Sequence, residues 1–197
     1  MTDTRQITVT AHLQRSARTF AALEAQTIPM ILEAADMITE SLKHGGKLLI
    51  CGNGGSAADS QHMAAEFVSR LRADRPRAAL SALALTTDTS FLTAYSNDEG
   101  YDGVFARQVE AHGKKGDVLF GITTSGTSKN ILQAFAEAKK RNMATIGLTG
   151  AKGLGAEADC VIAVPGEDQQ CTQEAHLAVE HIICELVEDH LFPRNNG

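Results

Sequence analysis

The sequence predicts a single α/β domain over residues 1–197, a parallel sheet with helices on both faces, preceded by a helical N-terminal extension. Three observations predict it. Short apolar runs alternate with helical segments from Lys47 to Leu191. Two of those runs, ending at Cys51 and Ile122, pass into glycine-serine turns that open helices. Ahead of them, residues from about Thr10 to Lys43 carry helical periodicity with few breakers.

Taken in order, Leu13, Phe20 and Leu23 mark one apolar stripe, and Ile31, Leu32, Ala35, Ile38 and Leu42 mark a second. Two helices joined near Thr27-Ile28-Pro29 account for both stripes, with Pro29 in a first turn and Gly45-Gly46 as the stop. Their apolar content exceeds what one face of a small domain needs, which suits an oligomerisation element at about residues 10–43. The α/β core then spans about residues 47–191. Lys47–Cys51, Ala79–Leu85, Asp117–Ile122, Ala144–Leu148 and Cys160–Val164 read as buried strands. Ser56–Leu71, Ser90–Tyr95, Tyr101–His112, Lys129–Arg141 and Thr172–Leu191 read as helices. No fixed-period repeat, low-complexity tract or inter-domain linker interrupts them.

Composition bounds the function. With 43% hydrophobic and 21% charged residues the chain is an ordinary globular protein, and its net charge of −6 argues against broad nucleic-acid binding. Four cysteines, Cys51, Cys160, Cys171 and Cys184, form no CxxC pair, and three sit in apolar runs as small buried hydrophobes of a reducing compartment. Cys171, in a more polar stretch, is the one with a candidate exposed position. The N-terminal stretch has no apolar signal core and no segment approaches a membrane span, so a cytoplasmic location without membrane contact is expected. Arg70, Arg72, Arg75 and Arg77 form one basic cluster, readable as a solvated loop or as phosphate- or subunit-contacting arginines.

The chemistry concentrates at the two turns. Gly52-Asn53-Gly54-Gly55-Ser56 places backbone N–H groups and a hydroxyl at a helix N-terminus, where the dipole favours an anion. Thr123-Thr124-Ser125-Gly126-Thr127-Ser128 clusters hydroxyls around a glycine that can aim successive amides inward. Ser128 alone could be an ordinary N-cap, but the cluster exceeds what a cap requires. Gly52-x-Gly54-x-x-Ala57 also matches a relaxed dinucleotide fingerprint. Its expected acidic partner would be Asp74, inside an arginine-rich loop, so a nicotinamide enzyme is a distant alternative.

His62 and Glu66 stand four residues apart on one face of the helix that follows the first turn. Their neighbours Met63, Ala64, Ala65 and Phe67 are apolar, so a carboxylate there needs a partner or a proton. The last helix offers Gln173, His176, Glu180 and His181. His62, Glu66, Gln173 and His181 are candidates to converge on one cation, since imidazole and carboxylate are usual zinc ligands and an amide is a rarer one. Phosphate cradle and acid–base or metal group together point to an enzyme acting on a small phosphorylated molecule.

These stretches resemble the phosphoheptose isomerases of the sugar-isomerase (SIS) fold. The resemblance rests on Cys51–Arg70, Ala84–Asp88, Tyr95–Tyr101, Gly116–Asn130, Thr145–Gly150 and Thr172–Glu188, and covers nearly the whole chain. It implies interconversion of sedoheptulose 7-phosphate and D-glycero-D-manno-heptose 7-phosphate through an enediol. That is the first step towards nucleotide-activated heptose for lipopolysaccharide core and other heptosylated products. It also implies a homotetramer with active sites between subunits and one Zn2+ per subunit on His62, Glu66, Gln173 and His181. By the same resemblance Asn53, Gly54, Gly55, Ser56, Asn97, Asp98 and Gln173 contact the sugar. Thr123, Thr124, Ser125 and Ser128 hold its phosphate, and Arg70 reaches a neighbouring subunit's site. Glu66 is the implied base and His181 the implied proton shuttle. Two positions depart from the pattern: Thr123 keeps the hydroxyl of a usual serine, and Gln170 stands near the place of an acidic residue of some members. Two alternatives stay open, a non-catalytic SIS protein that binds a replication initiator and an SIS isomerase or sensor of another sugar phosphate. The first of these paralogues lacks the full His–Glu–His set found here.

Overall fold

Helix α1 (Thr4–Lys43) runs unbroken through Pro29, where the sequence predicts a junction of two helices. The computed structural model describes residues 3–154 and 157–193. An interior proline costs a helix about 3 kcal/mol, chiefly through a lost hydrogen bond to the carbonyl four residues back. Here that residue, Ala25, and Pro29 itself both face water. On the opposite side Leu23, Thr27, Ile31, Ala34, Ala35 and Ile38 form one continuous buried stripe, which outweighs the loss. His44 and Gly45, with φ +75° at the glycine, end the helix as expected.

The remaining elements are β1 (Leu48–Gly52), α2 (Gly55–Val68), β2 (Ala82–Ala84), α3 (Thr89–Glu99) and a 3-10 turn at Tyr101–Gly103. They continue as α4 (Val104–His112), β3 (Val118–Thr123), α5 (Lys129–Lys140), β4 (Ala144–Gly150), β5 (Cys160–Val164) and α6 (Gln169–Leu191). Among the described residues five strands form one all-parallel sheet in the order β2-β1-β3-β4-β5. β2 is shorter than the predicted Ala79–Leu85 run because it is an edge strand, and Leu80 N–H turns away to Phe67 O at the end of α2.

Alternation along β1 divides the core. Leu48 and Ile50 pack with α1, α2 and α6 on one face, while Leu49 and Cys51 pack with α4 and α5 on the other. Phe67 and Phe120 anchor the first layer and Phe105 and Phe135 the second, each burial contributing roughly 2–3 kcal/mol. Helix α1 lies along α6, joined from His12–Glu174 at one end to Lys43–His190 at the other.

The structure decides three further points. Leu13, Phe20 and Leu32 are exposed, as are Ile7, Val9 and Ile28, so α1 carries an apolar face beyond the one that packs on the core. Cys171 is fully buried, because its position in the first turn of α6 faces Ser16 of α1 across 3.7 Å. The basic cluster is not a solvated loop throughout: the Arg77 side chain is 2% exposed. All four cysteines are free, and no described helix is long and apolar enough to cross a membrane.

Candidate active site

The strand order reverses between β1 and β3, and open parallel sheets bind ligands in the crevice at such a switch point. Both glycine-serine turns lie there, one leaving β1 and the other leaving β3. They are pinned together by a reciprocal amide pair. Asn53 Nδ2 donates to Asn130 Oδ1 at 3.0 Å, Asn130 Nδ2 donates to Asn53 Oδ1 at 2.8 Å, and the Tyr101 hydroxyl adds a third bond to Asn53 Oδ1 at 3.1 Å. Sequence reasoning missed Asn130 and Tyr101. The only signal for Asn130 was a polar side chain on the apolar face of α5.

The second turn has the form of an anion cradle. Thr123, buried at the end of β3, places its hydroxyl 3.3 Å from Ser125 Oγ and 3.1 Å from Ser128 Oγ. Ser125 Oγ accepts the Thr127 N–H and hydroxyl, and Gly126 takes φ +70° to let the turn close. Ser128 occupies the N-cap position of α5 yet makes no capping bond, its hydroxyl facing Thr123 instead. A serine that only capped the helix would bond the helix N–H groups. Three hydroxyls gathered at a helix N-terminus suit a phosphate.

Beside the cradle, Asn53, Gly55, Ser56, Thr124, Gln169, Gln170 and Gln173 line a cavity of about 260 Å³. Thr124 and Gln169 also border a second hollow of about 350 Å³ that reaches Ser125, Thr127 and Lys152. Gln170 thus sits on the cavity wall beside Gln173.

Helices α2 and α6 bring the acid–base group together. His62 Nε2 lies 2.9 Å from His181 Nε2, and Glu66 Oε1 lies 3.6 Å from His62 Nε2. Gln173 Nε2 donates to Asp59 Oδ2 at 3.1 Å, one turn before His62, and its amide packs against the Gly55 backbone. Burial raises the Asp59 carboxyl above its usual range, offset in part by the Gln173 donor and by His62. Glu180, with neither oxygen partnered among the described residues, is pushed up to about 9 by burial and then by Asp59. His176 Nε2 bonds Thr149 O at 3.1 Å, and burial lowers its ring to about 4, so it stays neutral.

The His62–His181 pair could hold a zinc ion with Glu66 beside His62, whereas the Gln173 amide is engaged by Asp59 and packs against Gly55. Two neutral imidazoles whose Nε2 atoms face each other must share one proton, whereas a cation engages both lone pairs. Their 2.9 Å separation is near the roughly 3.3 Å expected of two nitrogens on one tetrahedral zinc. His12, Cys171 and Glu174 also gather ligand atoms within 4.8 Å of one another. There, however, Arg15 Nη2 stands 3.3 Å from His12 Nδ1. With Glu174 Oε1 2.7 Å from Nε2, both ring nitrogens of His12 already have partners, and the group could hold a metal ion only by exchanging them.

Other candidate residues stand apart. Asn97 and Asp98 are exposed on α3, joined to each other at 2.8 Å, and Asp98 lines a separate hollow with Tyr95, Arg107 and Glu137. Arg70 is exposed just beyond α2, and Gly54, with φ +58°, shapes the first turn.

Comparison with known proteins agrees with this geometry. The SIS domain family model matches residues 11–150. The chain is 54% identical over 166 residues to a phosphoheptose isomerase of Roseiflexus sp. (strain RS-1), covering 83% of each. It is 48% identical over 195 residues to that of Burkholderia pseudomallei (strain 1710b), covering 96% of this chain and 98% of the relative. A solved phosphoheptose isomerase structure from Neisseria gonorrhoeae superposes with TM-score 0.85 at 40% identity, covering 93% of this chain and 98% of the other.

Proposed function

The chain belongs to the SIS domain family and, within it, to the phosphoheptose isomerases, and from that premise we propose how its residues act. It is an isomerase that interconverts sedoheptulose 7-phosphate and D-glycero-D-manno-heptose 7-phosphate. The observation that carries the reading is the meeting of His62, Glu66 and His181 at the seam of α2 and α6, in a fold whose switch point carries a hydroxyl-rich turn at Thr123–Ser128.

Thr123, Thr124, Ser125 and Ser128 hold the phosphate, so binding energy at the remote end positions the reacting carbons. Asn53, Gly54, Gly55 and Ser56 face the sugar. In the open-chain ketose, the Glu66 carboxylate removes a proton from C1 while His181 delivers one to the C2 oxygen, giving the enediol. Glu66 then returns its proton to C2, and His181 takes the proton from the C1 oxygen as the aldehyde forms. His62, Glu66, Gln173 and His181 would hold a zinc ion, which supplies Lewis-acid polarisation of the sugar oxygens, and Glu66 would have to loosen from it to act as the base.

The exposed apolar face of α1 supports assembly into a homotetramer, with Arg70 reaching a neighbouring subunit's site. Four free cysteines and no membrane-crossing helix among the described residues support a cytoplasmic placement. The products would feed nucleotide-activated heptose for lipopolysaccharide. Following sedoheptulose 7-phosphate by NMR with purified protein, before and after chelation and zinc return, tests the function. Aldose formation that falls and recovers supports it. No turnover with zinc restored would favour the initiator-binding or other-sugar alternatives.

A further inference from the structure

We infer that Arg77 is a positioning residue for Glu66, acting through a buried clamp that ties the end of α2 to α6. The inference rests on Glu66 and His181 being the proton-transfer pair. Those two residues come from different helices, so catalysis depends on how the helices are spaced.

The last carbonyls of a helix have no intrahelical donor, and α2 has no basic residue in its last turn to serve them. Arg77 reaches in from the following loop. Its Nη2 donates to Glu66 O at 2.7 Å and its Nη1 to Phe67 O at 2.9 Å. Its Nε donates to Glu188 Oε1 on α6 at 2.6 Å, and that same oxygen accepts the Leu71 N–H at 2.9 Å. The two side chains are 2% and 1% exposed, and the guanidinium lies over the Phe192 ring. Arg77 is therefore committed on every side and is not available to a phosphate. One planar fork holds the backbone of Glu66 and a carboxylate two turns beyond His181.

Stability alone does not account for this pair. A buried ion pair is often no more stabilising than apolar residues of similar volume. What an apolar pair cannot do is hold the Glu66 and Phe67 carbonyls. Arg75 provides a contrast in the same loop: it bonds Asp189 and the backbone carbonyls of Glu188, at 3.4 Å, and Phe192, at 2.6 Å, and among the described residues it makes no hydrogen bond to α2.

The test compares wild-type protein with Arg77→Lys, the double variant Arg77→Met/Glu188→Leu, and Arg75→Lys as control. Sedoheptulose 7-phosphate kinetics are read well below each Tm, together with amide exchange over residues 63–71. The expected result for Arg77→Lys and the double variant is kcat lowered tenfold or more, KM within threefold, and faster exchange at the end of α2. Arg75→Lys keeps kcat within twofold. If one of the two fails to fold, the other carries the test. A folded Arg77 variant with wild-type kcat, or with unchanged exchange, overturns the clamp. Wild-type protein inert on this sugar overturns the functional reading instead, and the exchange result then decides the clamp by itself.

Discussion

The Nε2 atoms of His62 and His181 lie 2.9 Å apart across the seam between α2 and α6, with ring centroids 5.1 Å apart. Glu66 borders the same point, one turn along α2 from His62. Two helices thus hold three groups able to exchange protons or bind a cation, and neither helix could do so alone. The cradle at Thr123–Ser128 belongs to a different pair of elements, β3 and α5. On the proposed reading, chemistry and phosphate recognition belong to separate parts of the fold and can be disturbed separately.

The zinc assignment predicts that chelation lowers turnover at least tenfold and that zinc restores it. His62→Gln should bind zinc at least 10- to 100-fold more weakly, a loss no smaller than that typical of outer-shell partners. Elemental analysis after dialysis checks this without reference to activity.

Gly55→Ala should be folded yet poorly active. Gly55 is exposed in the first turn of α2, where alanine normally stabilises a helix by up to about 1 kcal/mol. A Cβ there would collide with the Gln173 amide, so the cost falls on the site. We expect kcat/KM down roughly 100-fold with Tm unchanged or slightly raised, a loss typical of a misplaced positioning group.

Thr123→Val keeps the shape of a buried side chain and removes the hydroxyl that faces Ser125 and Ser128. Losing one such bond costs about 1 kcal/mol, so KM should rise roughly fivefold with kcat little changed. Thr123→Ser should behave as wild type. Steady-state kinetics separate the two.

His176 makes stability depend on pH in a stated direction. Burial lowers its folded-state value from 6.5 to about 4, so the folded protein prefers the neutral ring. Its contribution is fully present above pH 6.5 and is lost as pH falls from 6.5 towards 4, by on the order of 3 kcal/mol. Urea unfolding at pH 7 and pH 5 should show the loss, and His176→Gln should flatten it.

Much of this was legible in the chain because its signals are local. The run read as Lys47–Cys51 is strand Leu48–Gly52, legible because a central parallel strand is covered on both faces, and Cys160–Val164 forms the strand its apolar run predicts. Pro29 misled because its cost is set by which side of α1 packs, while the apolar content read as excess at Leu13 and Phe20 does stand exposed, since a stripe does not say what covers it. The long-range pairs were the least visible. His62 meets His181 across 119 residues and Arg77 meets Glu188 across 111, and nothing in local pattern records those meetings. The family resemblance supplied the first pair; only the folded chain shows the second.

The central claim is that Glu66 moves the proton between C1 and C2. It is tested most directly by incubating sedoheptulose 7-phosphate in D2O with wild-type protein and with Glu66→Gln, following carbon-bound hydrogen by NMR. Wild type should form aldose and exchange solvent deuterium into the sugar. Glu66→Gln, folded to the same Tm, should do both at least 100-fold more slowly, within the range expected of a lost general base. Full exchange and full turnover by Glu66→Gln would contradict the account.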